Sequence, residues 1–198
     1  MEEFSIYLQL GLEHILDVRG YDHILFVLVL CCRYVWKDWR NILLLVTAFT
    51  LGHSITLALA ALKMVQVNSG LIEFLIPVTI LLTALTNIFK REERVAKNRK
   101  SGKIGDLALF MLTLIFGLIH GLGFSNYLQS LLGKEQNLWK PLLAFNIGLE
   151  LGQLVIVLLV TILSTLLVRG LQVKQRDWIF FISSAVFGIA FIMALERI

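Results

Sequence analysis

The chain has 198 residues, 58% of them hydrophobic, with a mean hydropathy of +0.81 and a formal net charge of +4. Several apolar runs approach or exceed the roughly 20 residues that cross a bilayer, which excludes a soluble globular domain and leaves one integral membrane domain over 1–198. The basic residues sit in the connections between these runs, with no basic fold or aromatic-basic platform, so no nucleic-acid partner is expected.

In chain order, residues 4–18 form a short helix. It is apolar through Phe4, Ile6, Tyr7, Leu8, Leu10, Leu12, Ile15 and Leu16, yet carries Glu13, His14 and Asp17. Partial membrane insertion beside the bundle is expected, with an interfacial helix, a re-entrant segment or a seventh crossing as alternatives. The opening residues show no basic n-region or cleavage signal, so the first helices are expected to direct insertion. Six full crossings follow, at 20–36, 41–62, 70–89, 105–124, 139–166 and 177–195. The expected fold is an all-α polytopic transmembrane helical bundle. Cys31 and Cys32 are adjacent in an apolar run, without the spacing of a thiolate metal motif, and read as core thiols. Pro77 interrupts one crossing and suits a packing kink, while Pro141 stands near a helix start, where proline is tolerated.

The basic residues set the expected orientation. Of the 18 Lys and Arg, 13 fall around 33–40, 90–103 and 169–176. The other side receives only Arg19, Lys63, Lys134, Lys140 and Arg197. The positive-inside rule therefore places the three rich connections in the cytoplasm, including a basic loop at 90–104. Both termini face outward if residues 4–18 do not fully cross. The expected location is a bacterial inner (cytoplasmic) membrane.

On this topology all four histidines fall in the outer-facing half. Asp22 and His23 open the first full crossing, His53 and His120 lie on outward-running helices, Glu73 starts one inward-running helix and Glu150 lies within another. His14 and Asp17 can join from the N-terminal helix, where i,i+3 spacing permits a shared face. Ionisable groups at membrane depth are costly unless paired or bound. Imidazoles and carboxylates without cysteines suit a divalent transition metal such as nickel or zinc. His14, Asp22, His23, His53, His120, Glu73 and Glu150 are therefore the candidate ligands. Interhelical hydrogen bonds that merely hold the bundle together are the plain alternative.

Around these, Asn146, Glu150 and Gln153 share a helical stripe and can orient ligands. Thr50 and Ser54 supply hydroxyls that can also bond their own helix. Asp17 and Asp22 can hold neighbouring groups. Gly117, Gly121 and Gly123 near His120, with Gly148 and Gly152 beside Glu150, suit close helix packing. Phe49-Thr-Leu-Gly-His53-Ser and Phe116-Gly-Leu-Ile-His120-Gly share a Phe-x-x-x-His-small pattern, a weak sign of duplication.

Five blocks carry a resemblance: Gly11-Leu-Glu-His14; Gly20-Tyr-Asp22-His23-Ile-Leu-Phe26; Phe49-Thr-Leu-Gly-His53-Ser-Ile-Thr-Leu57; His120-Gly-Leu-Gly-Phe124; and Phe145-Asn-Ile-Gly-Leu-Glu150-Leu-Gly-Gln153. In this order they resemble the HupE/UreJ family of small bacterial membrane proteins, in its broader branch with FTLGHS and HGLGF motifs. The resemblance implies a nickel or related transition-metal permease or accessory protein, partnered by membrane lipids, the ion and a metalloenzyme maturation system such as that of hydrogenase or urease. Two other classes stay open. In an intramembrane metal-dependent hydrolase acting on a lipid or membrane peptide, Glu73 or Glu150 is the candidate catalytic base; no HExxH motif is present. In a structural or metal-sensing protein the cluster binds without turnover.

Overall fold

The computed structural model describes residues 2–65, 67–89, 104–132 and 138–197. The basic loop at 90–104 falls almost wholly outside them, as does Lys134. The described residues form α1 (Glu2–Leu16), α2 (Asp22–Cys31), a 3₁₀ turn (Trp36–Asp38), α3 (Trp39–Ala61), α4 (Ser69–Phe89), α5 (Ile104–Leu132), α6 (Trp139–Thr165, continued by a π turn over Leu166–Gly170) and α7 (Gln175–Glu196). The described residues form an all-α fold with no strand among them. Among the described residues, four helices are long and apolar enough to cross a membrane: α3 with its 3₁₀ turn, α4, α6 with its π turn, and α7. The protein is an integral membrane protein. α5 has 29 residues, of which Leu109–Ser125 is the described apolar part.

Local chemistry sets the ends of these helices. Lys63 adopts a positive φ of 58°, and the Met64 amide reaches back to the Leu59 carbonyl at 2.9 Å, closing α3 with a left-handed cap. Asn68 opens α4, its Oδ1 accepting from the Gly70 amide at 2.9 Å. Within α4, Pro77 has no N–H to offer the carbonyl four residues back. That carbonyl, of Glu73, instead accepts from Arg197 Nη1 at 3.0 Å, tying the start of α4 to the end of α7.

Without a hydrophobic force between helices in lipid, close packing depends on small residues. α3 and α5 meet through Gly52, Gly117 and Gly121. A Cβ on Gly52 would strike the Leu114 carbonyl, and one on Gly117 the Phe49 carbonyl. Phe49 thus lies at the level of Gly117 and His53 at that of Gly121, so the two helices run parallel. The two Phe-x-x-x-His helices therefore stand side by side at matching depth.

α1 and α6 meet in the same way: Gly11 lies against Phe145 and Leu149, Gly148 against Leu8 and Leu12, and Gly152 against Ile15. Residue numbers rise together, so α1 also runs parallel to α6. Taking as upper the end where α3 finishes and α6 begins, α1 descends and stops at the level of Gly152. That level is about 20 Å below Trp139 and about 27 Å above Gly170 at 1.5 Å per residue. α2 continues downward. The Val29 carbonyl accepts from Asn87 Nδ2 at 2.7 Å near the end of α4, and the Cys32 carbonyl from Trp178 Nε1 at 3.1 Å near the start of α7.

This corrects two expectations. The segment 20–36 contains a helix of only 10 residues, about 15 Å long, too short to cross alone. Asp22 and His23 open it in the middle of the bundle instead of at its upper end. Together α1 and α2 make one descending, discontinuous helix broken at 17–21, where the Asp17 carboxylate accepts from the Arg19 amide at 2.8 Å in a local turn.

Candidate metal centre

The break in the first helix creates the centre. His14 sits in the last turn of α1 and His23 in the first turn of α2, so two helix ends present imidazoles at one depth. The glycine contacts between α3 and α5 bring His53 and His120 to the same place from the other side. Ring centroids lie 4.7 Å apart for His14 and His23, 5.8 Å for His14 and His53, 5.7 Å for His23 and His53, and 5.3 Å for His23 and His120. His14, His23 and His53 each offer a ring nitrogen within 4.8 Å of the others, the only such group of His, Cys, Asp or Glu among the described residues.

The polar atoms of this group are unusually bare. Both ring nitrogens of His53, both of His23, and Nε2 of His14 and His120 are buried without a hydrogen-bond partner in the structure. A buried polar atom left unpaired costs about 1–3 kcal/mol, so such a concentration asks for a bound species. His120 reveals its tautomer. Its Nδ1 lies 2.8 Å from the Phe116 carbonyl, which can only accept, so Nδ1 carries the proton and Nε2 keeps a free lone pair. Asp22 Oδ1 accepts from the His23 amide at 2.8 Å and lies 2.9 Å from His23 Nδ1, without the alignment of a hydrogen bond to the ring. It brings a carboxylate beside the imidazoles.

Aromatic rings enclose the group. Above, Phe124 lies 3.9 Å from the His14 ring and stacks on Phe145 at 5.2 Å. Below, Phe26 stacks on Phe49 at 4.8 Å and meets Phe116 at 6.0 Å, with His120 5.2 Å from Phe26. These rings line the group above and below and lower the polarity around the imidazoles. Phe26, Phe49 and Phe124 all lie in the sequence blocks, but an apolar residue in an apolar run carries no signal of its own.

The model of the family described as HupE / UreJ protein matches residues 1–197. The chain belongs to this family. No curated protein and no solved structure matches it. The HupE / UreJ assignment covers all four histidines and both halves of the broken helix.

The remaining expected site residues are placed differently in this HupE / UreJ chain. Glu73 is exposed. Glu150 is half-buried between α3 and α6 and accepts from Thr47 Oγ1 at 3.4 Å. Asn146 pairs with Ser54 at 2.7 Å, and Gln153 accepts from Thr50 Oγ1 at 2.7 Å. These side chains form a polar ladder that bonds α3 to α6. The three-histidine group includes neither glutamate. Asp17 is exposed in the break. Cys31 and Cys32 are free and buried at the lower end of α2.

Proposed function

We propose that this protein carries a divalent transition-metal ion, nickel or an ion of similar ligand preference, across a bacterial cytoplasmic membrane. On this reading α1 and α2 together make one crossing and α3 to α7 make five more. The upper end faces outward, because the basic connections then fall on the cytoplasmic side.

The observation that carries the reading is the group of half-buried His14 with buried His23 and His53, in which His14 Nε2, His23 Nε2 and both His53 ring nitrogens have no hydrogen-bond partner. Neutral imidazoles bind nickel, cobalt, copper and zinc well, and magnesium and calcium poorly. His120 Nε2 and the Asp22 carboxylate are the candidates to complete the ligand set. Family membership supports the same reading, since the resemblance implies nickel handling. The discontinuous helix supports movement over a purely structural site: transporters place substrate at such mid-membrane breaks, where half-helix ends leave backbone groups free for an ion.

The test is flux in proteoliposomes holding a metal-sensitive dye. The wild-type protein is expected to admit Ni²⁺, Co²⁺ or Zn²⁺ but neither Mg²⁺ nor Ca²⁺, and His23→Ala and His53→Ala to abolish the signal. Stoichiometric binding without flux would overturn transport while leaving the site; flux unchanged in both variants would overturn the site.

A further inference from the structure

The break between α1 and α2 is not covered by the rest of the chain as described. Asp17, Val18 and Arg19 are exposed, with Val18 at 77%. Ile15, just before them, packs on Gly152 near the middle of α6, so the break stands at mid-bilayer depth. Irregular backbone and charged side chains facing hydrocarbon at that depth are not tolerated; they must be buried in protein or line water.

The outer side of α1 continues the same face. Its buried side is Tyr7, Gly11 and Ile15, turned to the bundle. Its exposed side carries Glu2, Ile6, Gln9 and Glu13, with Gln9 Nε2 donating to Glu13 Oε1 at 2.7 Å. This is a mixed polar and apolar stripe that runs down to the break. Lipid satisfies neither Glu13 nor Arg19, and water would leave Ile6 and Val18 exposed.

We propose that this face docks on the same face of a second copy of the chain. A two-fold interface is self-complementary, each residue i meeting j while j meets i. The face carries both signs within a few residues, Glu13 and Asp17 negative and Arg19 positive, so Arg19 can meet Asp17 of the partner subunit in both directions. Ile6 and Val18 provide the apolar contact. The interface closes the lateral side of the break that holds His14 and His23, so each centre is walled in part by its neighbour. The proposal depends on the chain crossing a membrane and not on what the histidines bind.

The test uses the full chain in liposomes, with single-molecule photobleaching to count copies and Val18→Cys to report on the surface. Wild-type protein is expected to be dimeric. Arg19→Asp is expected to weaken the dimer by about thirtyfold or more, as for a buried charge pair left unmatched, and the Asp17→Arg/Arg19→Asp pair to restore it. Val18→Cys is expected to cross-link to a covalent dimer with a short bis-maleimide, whereas Leu159→Cys, exposed on α6 at 63% and outside this face, is not cross-linked. A wild-type protein that is monomeric across lipid ratios would overturn the proposal. So would modification of Val18→Cys by a membrane-impermeant maleimide at the rate of Lys63→Cys, because water would then line the break.

Discussion

Gly121→Ala should damage the metal centre without touching a ligand. A Cβ at this position would lie 2.5 Å from the His53 carbonyl oxygen and 2.9 Å from its Cα, where ordinary contact is about 3.5–4.0 Å. The Thr56 hydroxyl is also in the way and can rotate aside, but the His53 backbone cannot. Relief requires α3 and α5 to separate by about 1 Å, at a cost of about 1–3 kcal/mol for overpacking. The same displacement carries His53 away from its partners. Metal sites tolerate ligand distances only within about 0.2 Å, so affinity is expected to fall at least about tenfold, or 1.4 kcal/mol. Gly188→Ala is the control. Nothing lies within 4 Å of a Cβ there, and alanine is the better helix former by about 1 kcal/mol. Thermal unfolding in detergent and calorimetric titration with Ni²⁺ read both quantities. A Gly121→Ala protein that matches wild type in unfolding midpoint and affinity would refute the packing account of how His53 and His120 are brought together.

Other substitutions separate the centre from the scaffold. Trp178→Phe removes the donor shared by the Cys32 carbonyl and Ser164 Oγ and should lower stability by about 1–3 kcal/mol; unchanged metal affinity in the same protein checks that the loss is scaffold alone. Gln153→Leu breaks the bond with Thr50 and should likewise lower the unfolding midpoint but not nickel affinity, so a tenfold affinity loss would return Gln153 to the centre. Asp22→Asn removes the carboxylate beside His23 and should weaken binding of a divalent ion about tenfold or more while leaving the helical circular dichroism intact. Because imidazoles bind metal only when unprotonated, affinity should fall as pH is lowered, which titration across the pH range checks.

Much of the bundle was legible in hydropathy. The runs 41–62, 70–89, 139–166 and 177–195 become Trp39–Ala61, Ser69–Phe89, Trp139–Thr165 and Gln175–Glu196, because an unbroken apolar run of bilayer length has one stable outcome in lipid. The meeting of the four histidines was also legible, since a buried imidazole needs a partner and few others were on offer. The course of the first segment was not. Asp17 to Tyr21 is a short polar interruption between two apolar stretches, and composition cannot distinguish a turn at the membrane surface from a break within it. What decides is the parallel seating of α1 on α6 through Gly11, Gly148 and Gly152, a pairing of distant glycines that no local pattern reveals. The glutamates stand apart from the three-histidine group for a related reason. Depth placed Glu150 near the centre, but its turn on α6 points to Thr47, and depth alone does not give rotation about the helix axis.

The measurement that tests the metal centre most directly is metal content per chain in protein purified without added metal or chelator, with the ion located by anomalous scattering. The account predicts a divalent transition ion among His14, His23 and His53 in the wild-type protein, and none in the triple alanine variant when it remains folded. A wild-type chain that stays empty after reconstitution with Ni²⁺, Co²⁺ and Zn²⁺, or a triple variant that binds as wild type does, would contradict it.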